Sequence, residues 1–201
     1  MNSDKKFDYD LFVIGGGSGG LSASKAAAAL GKNVALADFV RPTPTGTKWG
    51  LGGTCVNVGC IPKKMMHFSG SMYEALDEFQ HLGYPEAIPK KHNWETMVGN
   101  VQGYIKKLNF GYKMALNKEK VKYFNSYAKM VDAHTIELTN KDGVTSTVTA
   151  DKVLIAVGGR PVYPEVEGAK ELCITSDDLF SLKTSPGKVL CIGASYIALV
   201  N

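Results

Sequence analysis

The chain has 201 residues, of which 44% are apolar and 21% charged, enough for the core of one domain or one and a fraction, and this composition excludes a disordered chain. The net charge of +4 is mild and no basic cluster is interleaved with aromatics, which excludes nucleic acid as an expected partner. No apolar run reaches membrane-spanning length, and the start Met1-Asn2-Ser3-Asp4-Lys5-Lys6 is neither a secretory signal nor a transit peptide, so a cytoplasmic protein without a membrane partner is expected.

The first element is a short apolar run, Tyr9-Asp10-Leu11-Phe12-Val13-Ile14, closed by glycines and read as a buried parallel strand. An alanine-rich helix comes next over residues 21–30 and ends at Gly31. Residues 33–37 make a second strand closed by Asp38, completing a βαβ unit. A link rich in proline and glycine runs from Arg41 to Gly53. Beyond it, Met65, Phe68, Met72, Leu76 and Phe79 fall on one helical face. A second long helix starts after Asn93, a candidate N-cap, and carries Trp94, Met97, Val101, Ile105, Leu108 and Tyr112. Both stripes read as core. Residues 121–150 alternate as an antiparallel meander with turns at Asp132-Ala133 and Asp142-Gly143, and residues 152–157 form another buried strand. At the far end Val189-Leu190-Cys191-Ile192-Gly193-Ala194-Ser195 repeats the opening strand-and-glycine pattern.

Gly15-x-Gly17-x-x-Gly20 comes directly after the first strand, opens the first helix and has Asp38 about 20 positions on, the context that turns a glycine-rich turn into a dinucleotide cradle. Gly15 permits the tight turn. Gly17 lets the backbone approach a pyrophosphate at the positive end of the helix, and Gly20 lets helix and strand pack closely. Asp38 would accept hydrogen bonds from a ribose hydroxyl. It disfavours a 2′-phosphate, since two anions would share the site, so NADPH is not expected here; FAD or NAD remains.

Cys55 and Cys60 sit five positions apart. Fully extended, that chain would separate them by roughly 17 Å, whereas a disulfide needs Cα atoms about 5–6 Å apart. The loop must curl, with Gly59 supplying the freedom and Pro62 fitting the first turn of the next helix. Cys60 then lies near a helix N-terminus with Lys63 and Lys64 close by, surroundings that stabilise a thiolate. No Cys/His set has zinc-like spacing, so no metal is expected; His67 is the closest candidate. Cys191 lies in an apolar run and reads as buried, and Cys173 as a bystander. A reducible disulfide beside the cradle calls for a carrier able to attack sulfur, which a flavin does, and this favours FAD.

The run Gly52-Gly53-Thr54-Cys55-Val56-Asn57-Val58-Gly59-Cys60-Ile61-Pro62-Lys63-Lys64 closely resembles the redox loop of the pyridine nucleotide–disulfide oxidoreductases. Lipoamide dehydrogenases typically carry Pro-Ser-Lys where this chain has Pro62-Lys63-Lys64. Glutathione reductases share the Lys-Lys but have a shorter link. The longer link from Asp38 to Gly50 resembles that of the large thioredoxin reductases and thioredoxin–glutathione reductases. Ala156-Val157-Gly158-Gly159-Arg160-Pro161 resembles the family's Ala-Thr-Gly-x-x-Pro segment, with Val157 in place of threonine. The likeness continues through Ile174-Thr175-Ser176-Asp177-Asp178 to Tyr196.

The resemblance implies an α/β fold: a Rossmann-type FAD-binding domain with a parallel sheet plus an antiparallel β-meander over residues 1–185, and the start of a second, NADPH-binding Rossmann domain over 186–201. It implies that Cys60 faces the flavin, that Cys55 is the interchange thiol, that Lys63 lies near the flavin N5 edge, and that Tyr196 is the lid tyrosine. Lys64 reads as a solvated lysine. FAD contacts are implied at Gly15, Gly17, Ser18, Gly19, Gly20, Asp38, Phe39, Gly53, Thr54, Cys55, Gly59, Cys60, Lys63, Ala128, Ala156 and Gly158. The implied activity passes electrons from NADPH through FAD and the cysteine pair to thioredoxin, in a homodimeric parent. A glutathione reductase-type parent, or a non-catalytic FAD-binding module, is the alternative. Where the family continues with glutamate after Leu199, this chain has Val200-Asn201. The expectation is a fragment lacking the NADPH, dimerisation and C-terminal redox segments: unable by itself to use NADPH, weak in FAD binding and prone to aggregate.

Overall fold

The computed structural model describes residues 6–84 and 91–200; most of the polar start lies outside them. Strand β1 (Tyr9–Ile14), helix α1 (Ser18–Ala29) and strand β2 (Val34–Ala37) form the expected βαβ unit, with Val13 opposite Leu36 in a parallel ladder. After the link come α2 (Gly53–Val58), α3 (Cys60–His81) and α4 (Trp94–Lys118). Next are β3 (Lys122–Phe124), β4 (Ser126–Met130), β5 (Thr135–Asn140) and β6 (Thr145–Ile155). Three short helices complete the described chain: α5 (Ala169–Leu172), α6 (Ser176–Leu179) and α7 (Tyr196–Val200).

The strands make one sheet in the order β3-β2-β1-β6-β5-β4. Strand β6 joins its two halves. Residues up to Thr149 pair antiparallel with β5, and Ala150 to Ile155 pair parallel with β1. The sheet is covered on both sides, so β1 and β2 bury successive residues on opposite faces. Phe12, Ile14, Ala35 and Ala37 pack with Ile136, Leu138 and Ala150 under the meander. Val13, Val34 and Leu36 pack with Leu21, Leu51, Leu116 and Val121 under α1 and α4.

Several expectations are corrected. Residues 122–124 do not belong to the meander; β3 lies parallel to β2, with Leu36 opposite Tyr123, because α4 returns the chain as a crossover helix. The stripe on α3 is not core. Phe68, Met72 and Phe79 are exposed, since α3 packs chiefly on α2 and α4 rather than on the sheet. Residues 152–157 are not a buried strand throughout. Ile155 and Val157 are exposed, because β5 leaves the edge of β6 at Thr149, while Ala156 between them packs against the core. Residues 189–192 form no strand and Cys191 is exposed; no described strand pairs with them. The α4 stripe holds where the helix meets the body, at Val101 and Ile105. Its cap is also as expected, with Asn93 Oδ1 accepting from Thr96 N at 2.9 Å. No described helix is long and apolar enough to cross a membrane.

Candidate functional site

At the end of β1 the chain turns under tight constraint. Gly15 has φ +112°, donates its N–H to the Ala37 carbonyl at 2.8 Å, and leaves no room for a Cβ, which would fall 2.2 Å from the Ala156 carbonyl oxygen. A Cβ on Gly20 would fall 1.8 Å from the Gly15 oxygen. These two glycines answer to the protein's own backbone. Gly17 does not: a Cβ there meets nothing closer than 3.6 Å. It caps α1 without any side-chain hydrogen bond, so the first amides of the helix remain available to an anion in the adjoining cleft.

Asp38, at the end of β2, accepts a hydrogen bond from Gly16 N at 2.8 Å. Burial pushes its carboxyl above the usual range, against the lowering effect of the Gly16 and Phe39 amides. Nearby Tyr123 is pushed up to about 12, first by its own burial and then by the Asp38 charge. A raised folded-state pKa means that ionising Asp38 costs stability. The cost is absent below the unfolded value of about 4 and complete above the raised folded value. Asp38→Asn should therefore melt no lower than the unmodified chain at pH 7 while binding a dinucleotide more weakly. Melting curves at pH 3.5 and 7, with and without ligand, check both halves.

The segment between the cysteines is a turn of helix, α2, where the sequence suggested a loop. Gly52 (φ +132°) donates its N–H to the Gly16 carbonyl at 3.0 Å, and a Cβ on Gly53 would fall 2.6 Å from the Gly17 Cα. The cysteine helix is thus packed backbone to backbone on the cradle. At its other end a Cβ on Gly59 would meet Thr54 O at 3.1 Å and Cys55 Cα at 3.2 Å, so glycine lets the chain fold back over Cys55 and start α3 at Cys60. Both cysteines are free thiols, Cys55 half-buried and Cys60 exposed. Burial pushes the Cys55 thiol up, as do a hydrogen bond and charge repulsion from Cys60; a backbone hydrogen bond at Cys60 and the Lys63 charge oppose this.

A cleft of about 1210 Å³ adjoins the cradle. Its lining includes Gly15, Gly17, Ser18, Gly19, Asp38, Phe39, Gly53, Thr54, Cys55, Ala156, Gly158 and Tyr196. Gly20 is buried beneath it. Gly59, Cys60 and Lys63 lie off this wall, although Lys63 is held close, its N–H on the Gly59 carbonyl at 3.0 Å. Ala128 packs into the core beneath the meander, away from the cleft.

Sequence reasoning passed over several residues that build this site. Asn57, 2% exposed, donates to the Gly53 and Gly50 carbonyls, and Asn109 of α4 donates to Asn57 Oδ1 at 2.9 Å and Leu51 O at 2.6 Å. A polar residue between Val56 and Val58 was the available signal. Arg160 pairs with Asp177 at 3.0 Å and stacks over Trp49 at 4.6 Å, joining three segments of the cleft wall. In that wall Asp177 Oδ1 is buried without a hydrogen-bond partner among the described residues.

The link is anchored by Asp178, whose Oδ1 accepts from the Thr43 and Thr45 hydroxyls at 2.6 Å each, while α6 is closed by a Thr175–Asp178 capping box. Burial alone would raise this carboxyl, but the hydroxyls of Thr43, Thr45 and Thr47 and the Thr175 amide hold it below its usual value. A depressed folded pKa gives stability that is present above pH 4 or so and lost on acidification through the folded value. Thr43→Val/Thr45→Val should cost about 3 kcal/mol at pH 7 and progressively less toward pH 2. A loss that does not vary with pH in denaturant melts would contradict this.

Residues 9–200 match the family model described as pyridine nucleotide-disulphide oxidoreductase. The chain belongs to this family. A curated relative, thioredoxin reductase SEP1 of Emiliania huxleyi, is 59% identical over 191 residues. That match takes in 95% of this chain and 38% of the relative, so the chain spans well under half the length of the curated protein it matches. Family membership implies a flavin and a nicotinamide nucleotide as the electron carriers. The glycine cradle, the α/β sheet and the adjoining cysteine pair are where such chemistry would be placed.

Proposed function

We propose that this chain provides the FAD site and the redox-active cysteine pair of an NADPH-dependent thioredoxin reductase. One observation carries the reading most directly: α2, which holds Cys55, rests on the cradle through the Gly52–Gly16 hydrogen bond and the Gly53–Gly17 contact, so the cradle and the sulfur-bearing helix are held against each other through backbone. The site residues fit FAD. Gly17 and the open amides of α1 suit the pyrophosphate, Asp38 the ribose hydroxyls, and the cleft volume exceeds about 1000 Å³, the upper end for ordinary ligand pockets. FAD, when bound, supplies the two electrons that reduce the cysteine pair, themselves delivered by NADPH at a second site in the homodimeric, cytoplasmic parent.

The protein's own residues then perform thiol–disulfide exchange. The Cys55 thiolate attacks one sulfur of the thioredoxin disulfide, forming a mixed disulfide and releasing one thioredoxin thiolate, which takes a proton. The Cys60 thiolate attacks Cys55 Sγ, forming the Cys55–Cys60 disulfide and releasing the second thioredoxin thiolate. Lys63 favours the Cys55 thiolate, and Tyr196, on the cleft wall, would lie against a bound flavin.

The chain reduced with dithiothreitol, desalted, and mixed with oxidised thioredoxin should transfer one pair of electrons per chain without NADPH. The same chain should quench FAD fluorescence on titration, and Gly17→Ala should abolish the quenching. Reduction of oxidised glutathione but not thioredoxin would move the reading to a glutathione reductase-type parent. Flavin binding without exchange would leave a binding module.

A further inference from the structure

We propose a second small-molecule site, separate from the dinucleotide cleft: a cavity of about 310 Å³ between the link, α2 and α4, built for a flat aromatic anion. Its walls combine two kinds of surface. Trp49, Val58, Ile105 and Phe180 make the apolar part, and the last three are buried. Lys48 and Lys106 stand on the exposed rim. No described aspartate or glutamate lines the cavity, and neither lysine has a carboxylate partner among the described residues.

Most of the remaining polar side chains are engaged within the protein. The side-chain amides of Asn57, Asn109 and Gln102 already donate to protein oxygens. Recognition therefore falls to stacking and apolar contact for the body of the ligand and, for its head, to two ammonium groups unpaired among the described residues. The volume is at the lower end of the range of about 300–1000 Å³ for ligand pockets, room for a fused bicyclic ring with a carboxylate and too little for a dinucleotide. Trp49 stands on the walls of both this cavity and the cleft, and Val58 belongs to the same helix as Cys55, so an occupant would touch both halves of the redox site.

The test uses 2-naphthoate as the probe, titrated into the whole chain and followed by saturation-transfer NMR. One saturable site is expected. Lys48→Glu/Lys106→Glu should weaken binding at least about tenfold, as should replacing the probe by neutral 2-naphthamide. Ile105→Trp, which fills the cavity, should abolish it; should that variant fail to fold, the exposed lysine pair keeps the test decisive. The absence of saturable binding, equal binding of acid and amide, or binding unchanged by the double charge reversal would overturn the proposal.

Discussion

Gly20→Ala should prevent folding, while Gly17→Ala should fold normally and lose the dinucleotide. The two glycines belong to one motif, yet different neighbours require them. A methyl group on Gly20 would sit 1.8 Å from the Gly15 carbonyl oxygen and 3.2 Å from Val13 Cγ1. That oxygen cannot yield, because Gly15 is held by its hydrogen bond to Ala37 and by close contact with Ala156. Relief requires α1 to leave β1, which opens the core around Leu21, Val13 and Leu36. A loss above about 4 kcal/mol is the scale of such damage, comparable with the net stability of a whole domain. At Gly17 the backbone is extended (φ −81°, ψ −171°) and the nearest atom to a new Cβ is 3.6 Å away, so alanine should cost within about 1 kcal/mol. The methyl would occupy the space a pyrophosphate needs, and FAD affinity should fall about ten- to a hundredfold, the worth of a lost charge-assisted hydrogen bond. Circular dichroism melts and FAD fluorescence titration on the two variants separate the effects. Equal destabilisation by both changes would remove the basis for assigning Gly17 to a ligand.

The parts legible in the sequence were those whose causes lie within a few residues. Strands β1 and β2 come from short apolar runs, helix α1 from its alanines, the cradle and Asp38 from glycine spacing, and the Asn93 cap from one side chain and the amide three positions on. The misread elements depend on partners far along the chain. Residues 122–124 alternate as a meander strand would, and only the return through α4 sets them beside β2. The α3 stripe has the helical period of a core face, but period does not say whether a sheet lies opposite. The Asp178 anchor reaches 135 residues back to Thr43, and the Asn57–Asn109 pair spans 52; single polar residues in apolar runs hint at such bonds without naming the partner. The cysteines show both cases. Their closeness was legible from Gly59 and Pro62, whereas their burial was not, and the thiol that the resemblance assigns to the partner, Cys55, is the more buried one.

Cys60→Ser should make Cys55 more reactive, although Cys55 is the less exposed sulfur. Its thiol is raised first by burial, then by the hydrogen bond and charge of Cys60, and lowered by Lys63. Serine removes the charge repulsion and leaves the lysine in place, so the thiolate fraction near neutral pH should grow. A lowered pKa enlarges the thiolate fraction below it, and because nucleophilicity falls more slowly than that fraction grows, alkylation of Cys55 by iodoacetamide at pH 7.5 should quicken. With no second thiol to resolve it, the mixed disulfide formed with thioredoxin should accumulate in Cys60→Ser as a covalent adduct on a non-reducing gel. Cys55→Ser retains the exposed sulfur and should form little adduct, and both variants should lose multiple-turnover disulfide reduction in the parent enzyme. Adding Lys63→Met to Cys60→Ser should reverse the gain in alkylation, which a change in exposure alone would not do. Adduct formation confined to Cys55→Ser would reverse the order of the two thiols and place Cys60, not Cys55, toward the partner.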